Sequence, residues 1–259
     1  VAYVKSGSAE IYYEVYGDGP CIVFAHGAGG NAASWWQQVP YFVDRFKIIT
    51  FDHRCFGRST CPPESIDMKY FATDLRAILD EERIENAFLV CQSMGGWTGM
   101  RMVAESPERL RALVMSHTPG SITNEEIRAV QQRLTADRIP VTAPFGSWAV
   151  APDYQDKDAA GAHLYNQISS FNTNVDRNKL FAGMGEPMPM AALQDYTIPT
   201  LFITAEQDQI FPPELIHMVA KLVPGAIVKV LGDAGHSSYF ESPALFNKTV
   251  DEFIAGHLD

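Results

Sequence analysis

Short apolar runs alternate along this chain with longer stretches whose apolar positions recur at helical spacing. AEIYYEVY (residues 9–16), CIVFAH, FKIITFDHR, NAFLVCQ and LRALVMSH read as strands, and PTLFITAE and AIVKVLGDA resume the series near the C-terminus. Between them lie segments with a helical period. Residues 68–84 carry Phe71, Leu75, Ile78 and Leu79 at i, i+4, i+7 and i+8, the stripe of a half-buried helix. Further helices are predicted from about Ala32 to Asp44, over SMGGWTGMRMVAE, over PPELIHMVAKLV and over SPALFNKTVDEFIAGHL. Strands that alternate with helices imply a mainly parallel sheet covered on both faces.

The alternation breaks once. From about Thr118 to Ile198 the segments look helical and no convincing buried strand occurs. Thr123 and Glu126 have capping-box spacing and predict a helix start ahead of NEEIRAVQQRL. Five prolines (Pro140, Pro144, Pro152, Pro187, Pro189) and Met184, Met188 and Met190 interrupt the region. The expected organisation is therefore a core built from residues 1–118 and 198–259, with residues 119–197 inserted as a helical cap above one edge of the sheet.

The 259 residues, 46% hydrophobic and 20% charged, suit a single large-cored globular domain. A net charge of −11 argues against nucleic acid and anionic bilayers as partners. No run of 18 or more apolar residues suggests a membrane span. The N-terminal VAYVKSGSAEIYYEVYG lacks the pattern of a signal peptide, which favours a cytoplasmic location. Cys21, Cys55, Cys61 and Cys91 lack metal-ligand spacing and read as free thiols of a reducing compartment, the alternative being a Cys55–Cys61 loop disulfide.

The chemistry concentrates at the ends of the predicted strands. Val90-Cys91-Gln92-Ser93-Met94-Gly95-Gly96 joins a buried strand to a helix. A tight turn there exposes the serine hydroxyl near the positive end of the helix, where an oxyanion can be stabilised; the plainer alternative is a serine that only caps the helix. The motif resembles the nucleophile elbow of the α/β-hydrolase family, G-x-S-x-G, with Cys91 for the first glycine. Thr204-Ala205-Glu206-Gln207-Asp208 through Pro213 resembles that family's acid loop, making Asp208 the acid and Glu206 its rival. Gly235-His236, after the strand IVKVL, matches the position of the family's base. His117 also follows a strand but precedes the cap. Phe24-Ala25-His26-Gly27-Ala28-Gly29-Gly30 resembles the H-G-x loop, which makes Ala28 and Met94 the oxyanion-hole donors and leaves His26 bracing the loop. A phosphate loop is disfavoured there, since neither G-x-G-x-x-G nor G-K-[ST] spacing occurs. Asp52 to Ser59 resembles a structural loop of the family, with Cys55 for a glycine.

The resemblance covers the chain from CIVFAH to the last helix. It implies an α/β-hydrolase fold with a mostly parallel eight-stranded sheet and a cap after the sixth strand. It also implies a Ser93–His236–Asp208 triad that cleaves small carboxylic esters or lactones through an acyl-enzyme, with no metal or organic cofactor. Trp148, Phe145, Phe171, Phe181, Tyr165 and the methionines of the cap are expected to shape an apolar pocket, or else to pack as core. Meta-cleavage C–C hydrolases share the S-M-G-G turn and capped layout. Gln92 stands where they commonly have asparagine, and Ser237-Ser238-Tyr239 where they usually carry tryptophan. A slow-turnover ligand receptor that keeps the triad is the alternative from a different class.

Overall fold

The computed structural model describes residues 2–182, 187 and 189–258. Its eight strands are β1 (Ala2–Ser6), β2 (Ala9–Tyr16), β3 (Cys21–Ala25), β4 (Lys47–Phe51), β5 (Ala87–Gln92), β6 (Leu110–Ser116), β7 (Thr200–Ala205) and β8 (Ile227–Leu231). They form one sheet in the order β1-β2-β4-β3-β5-β6-β7-β8. The β1–β2 and β2–β4 pairs are antiparallel, and every other pair is parallel. Seven strands match the runs of apolar residues; β1, whose exposed and half-buried residues alternate, gives a weaker signal.

The helices are α1 (Val39–Phe42), α2 (Phe71–Glu81), α3 (Gly95–Glu105), α4 (Glu125–Ala136), α5 (Tyr154–Lys157), α6 (Ala159–Ser170), α7 (Arg177–Ala182), α8 (Pro213–Ala220), α9 (Ser238–Glu241) and α10 (Pro243–Ala255). The central strands divide their side chains between two cores. Val23 and Ala25 of β3 join Leu89 and Cys91 of β5 on one face, against α2, α3 and α8. Ile22 and Phe24 join Phe88 and Val90 on the other, against Trp35, Phe246 and Val250. This period of two, with both faces covered, is why these strands read as continuous apolar runs.

Three expectations need correction. Residues 32–44 do not form one helix: a 3-10 turn over Ala32–Trp35 precedes α1, where Pro40 sits in the first turn. Proline lacks the N–H that would carry a longer helix through this point. The helix predicted from Thr123 is capped one residue later, since Asn124 Oδ1 accepts the Ile127 N–H at 2.8 Å. Finally, Cys55 and Cys61 are disulfide-bonded, leaving only Cys21 and Cys91 as free thiols. A positive φ of 63° at Cys55 turns the loop so that the two Cα atoms lie 5.2 Å apart, within bridging range.

Between β6 and β7 the described residues hold α4 to α7 and a 3-10 turn at Met190–Leu193, with no strand among them. The expectations placed on Met184 and Met188 lie outside the described residues. No helix among the described residues is long and apolar enough to cross a membrane.

Candidate active site

Parallel strands in register bring their C-terminal ends to one edge. Ala25 pairs with Cys91, Gln92 with Ser116, Ser116 with Ile203, and Ala205 with Leu231. The loops leaving β3, β5, β6, β7 and β8 therefore emerge side by side, carrying Ala28, Ser93, His117, Asp208 and His236. Ligand sites of open α/β sheets belong at this edge.

Ser93 follows β5 with φ of 49°, a left-handed conformation that L-residues adopt at a cost of about 1–3 kcal/mol. Its neighbours hold it there: the Ser93 N–H donates to Ser116 O at 2.9 Å, and the Gly96 N–H donates to Ser93 O at 2.8 Å. The turn is tight enough to require glycine. A Cβ on Gly95 would strike Ala25 O, and one on Gly96 would strike Thr118 Oγ1. At the position the family gives to glycine, Cys91 fits because its buried Sγ faces Gly99, where an added Cβ would come within 2.9 Å. Burial pushes the Cys91 thiol pKa well up, so it stays a packing group.

Asp208 is buried and accepts from four donors. Oδ1 takes the N–H groups of Ile210 at 2.8 Å and Phe211 at 2.9 Å. His236 Nδ1 lies 3.1 Å from Oδ1 and 3.0 Å from Oδ2, and His117 Nδ1 lies 2.8 Å from Oδ2. Burial alone would raise the Asp208 pKa. The positive charge available at His236 and the hydrogen bonds from both histidines outweigh it, holding the carboxyl far below the usual range. Glu206, the rival acid, has an exposed side chain.

With its Nδ1 on Asp208, His236 has Nε2 buried and without a hydrogen-bond partner among the described residues. Two groups fix its loop that sequence reasoning did not assign. Gln92 Nε2 donates to His236 O at 3.1 Å. Glu241 accepts the N–H groups of Ala151, Gly235 and Ser237, at 2.8, 3.1 and 3.2 Å. Gly235 is needed because a Cβ there would strike the backbone of Val150 and Ala151.

His117 is the residue the sequence reading set aside. It sits at the end of β6 with φ of 52°, fully buried, its Nε2 2.7 Å from Ser238 Oγ. Burial lowers its pKa against the opposing pull of Asp208, so the ring is neutral. Donor atoms of His117, Asp208 and His236 lie within 4.8 Å of one another, close enough to hold a metal ion. Both Nδ1 atoms already face the carboxylate as donors, however, and an ion would have to displace those bonds. The donor set is that of one carboxylate orienting two imidazoles.

The loop after β3 is braced as expected: His26 Nδ1 lies 2.8 Å from Gly27 O, and the His53 N–H donates to His26 Nε2 at 2.9 Å. Asp52 accepts the N–H groups of Ala32 at 2.6 Å and Arg58 at 2.7 Å, a structural role for that loop. Ala28, Ser93, Met94 and His236 line one cavity of about 440 Å³. From the inserted segment, Trp148, Tyr165 and Phe181 reach the same cavity; Phe145 and Phe171 do not.

The alpha/beta hydrolase family matches residues 22–249. The 3-oxoadipate enol-lactonase 2 of Acinetobacter baylyi is 25% identical over 92% of this chain and 91% of its own. The fold is also that of a malate-bound thermophilic esterase from Thermogutta terrifontis. Its TM-score is 0.83 at 22% identity, covering 100% of this chain and 99% of that one. A bromoperoxidase from Bacillus anthracis superposes with a TM-score of 0.80 at 23% identity, over 98% and 99% of the two chains.

Proposed function

The chain belongs to the alpha/beta hydrolase family, and from that premise we propose that it cleaves small carboxylic esters, lactones included, with Ser93 as nucleophile, His236 as base and Asp208 as the orienting acid. The observation that carries this reading is the cavity shared by Ser93 and a His236 whose Nε2 is unpaired while its Nδ1 is held by Asp208. Because a carboxylate can only accept, the Nδ1 hydrogen is fixed and Nε2 keeps its lone pair without a hydrogen-bond partner, as a base requires.

In the proposed reaction His236 takes the Ser93 proton as the hydroxyl attacks the carbonyl. The developing oxyanion is met by the N–H groups of Ala28 and Met94, neither of which has an acceptor among the described residues. His236 then protonates the leaving alcohol, and water repeats the sequence on the acyl-enzyme. Residues 119–197 act as the cap that bounds the pocket. The enol-lactonase relative supports extending the reading to lactones.

The test is Ser93→Ala. Hydrolysis of nitrophenyl esters should fall on the order of 10³-fold or more while the variant stays folded. A small organophosphate should label the parent stoichiometrically at Ser93. Labelling at another residue, or an active Ser93→Ala variant, would sink the assignment.

A further inference from the structure

Among the described residues, the wall of the cavity beside Ser93 carries two cations and no anion: Arg138 and Arg177 both line it, and no described aspartate or glutamate does. The chain as a whole is biased the other way, with 31 acidic against 20 basic residues. Several arginines elsewhere are paired with carboxylates, among them Arg54 with Asp74, Arg109 with Asp80 and Arg133 with Glu214. Among the described residues neither cavity arginine has such a partner.

The two are held differently. Arg138 is half-buried, its Nε donating to Gln209 O at 2.7 Å and its guanidinium 5.6 Å from the Trp148 ring centroid. Carbonyl and ring fix the plane of the guanidinium without neutralising it, and burial disfavours its charge. Arg177 is exposed and opens α7. The acid beside it, Asp176, is occupied with the N–H groups of Asn178 and Lys179. The rest of the nearby wall is largely apolar, with Trp148, Phe181, Ile210 and Phe211. An apolar wall with two guanidiniums that have no ion-pair partner among the described residues, Arg138 feeling only the more distant charge of Asp208, fits a carbon skeleton that ends in an oxyanion, and guanidinium recognises a carboxylate through paired N–H groups.

We propose that the ester or lactone taken by this site carries a second, free carboxylate, bound by Arg138 and Arg177 while the scissile carbonyl lies at Ser93. This rests on the serine-hydrolase reading above and narrows its substrate class.

The experiment compares monoethyl hemiesters of succinic, glutaric and adipic acid with the neutral diethyl esters, in the parent, Arg138→Gln and Arg177→Gln. For at least one diacid the parent should favour the hemiester about tenfold or more in kcat/KM, and each variant should cut that ratio about tenfold, the scale of one charge-assisted hydrogen bond. Arg138→Gln also loosens the loop after Asp208, so Arg177→Gln, whose side chain makes no hydrogen bond or ion pair among the described residues, gives the cleaner comparison. Turnover of both ester types with a ratio near one, or a ratio that neither variant moves, overturns the carboxylate while leaving the hydrolase reading intact. If neither type is turned over, the hydrolase reading is what fails. The anion site is then read without turnover, by calorimetry of succinamate against neutral succinamide in the same three proteins. Tighter binding of succinamate that both variants weaken supports the site, and equal binding of the two amides overturns it.

Discussion

His117 donates its Nδ1 hydrogen to Oδ2 of Asp208 across 2.8 Å, so the carboxylate that orients His236 also serves a second buried imidazole. Because His117 is neutral and its Nδ1 hydrogen is committed, its Nε2 must accept, and Ser238 Oγ donates to it at 2.7 Å. The chain Ser238–His117–Asp208–His236 thus has a defined direction of hydrogen bonding. A carboxylate shared between two imidazoles gives less of its charge to either one.

Removing that second donor should therefore strengthen the hold of Asp208 on a protonated His236. In His117→Phe the acid limb of the kcat/KM–pH profile should move to higher pH, and kcat should fall far less than in Ser93→Ala. His117→Gln, whose side-chain amide can still donate, should restore most of the parent profile. A purely structural role would lower activity at all pH values without displacing the limb, and that result would refute the tuning role.

The choice of acid is separately testable. Asp208→Asn removes the charge that stabilises the imidazolium and offers His236 the wrong hydrogen-bonding partner, a penalty of roughly 10⁴-fold in a comparable triad. Glu206→Gln alters an exposed side chain and should leave kcat/KM within about twofold. Equal losses, or a larger loss at Glu206, would move the acid.

How far the sequence speaks for this site depends on how local each signal is. Ser93, Asp208 and His236 sit in short motifs whose turn geometry demands small neighbours, and Gly95, Gly96 and Gly235 mark those turns because a Cβ at each would strike backbone or a fixed side chain. His117, Gln92 and Glu241 are invisible by that route. Two of them act through a partner distant in sequence, His117 lying 91 residues from Asp208 and Gln92 144 from His236, while Glu241 ties the nearby Gly235 and Ser237 to the distant Ala151. Their roles exist only once the parallel register of β5 to β8 is in place. The Cys55–Cys61 bridge is not legible in the sequence for a related reason, since it depends on the positive φ at Cys55 and not on spacing alone.

Acid should destabilise the fold earlier than carboxylate titration would. His26, His53 and His117 are buried, and desolvation lowers all three, His26 to about 4. Each is neutral when folded and takes up a proton when unfolded below pH ~6.5, so the stability it contributes is present above that pH and lost as pH falls. For His26 alone the loss by pH ~4 amounts to about 3 kcal/mol. The buried Asp52, Asp74 and Glu241, whose pKa values burial raises, act in the opposite sense and hold stability at the acid end. Urea unfolding at pH 7, 6 and 5 should show a falling free energy, with a shallower slope in His26→Gln. The same pH dependence in the parent and in His26→Gln would mean that His26 is not held neutral.

The segment between β6 and β7 should select substrate through Trp148 and not through Phe171. Trp148 lines the cavity with 45% of its surface still exposed, held by the bond from its Nε1 to Ile139 O at 3.0 Å. Phe171 is 66% exposed at the end of α6 and does not line the cavity. A wall residue acts on selectivity through pocket shape, where one methylene is worth about 1–3 kcal/mol, and leaves the chemistry at Ser93 alone. Trp148→Ala should therefore shift relative kcat/KM across a graded acyl-chain series toward longer chains, while Phe171→Ala keeps the parent profile. The rate of labelling by a very small organophosphate should change little in either variant, because that probe does not fill the pocket. If Trp148→Ala folds and keeps the parent chain-length profile, the indole is packing surface, and the inserted segment does not set specificity through it.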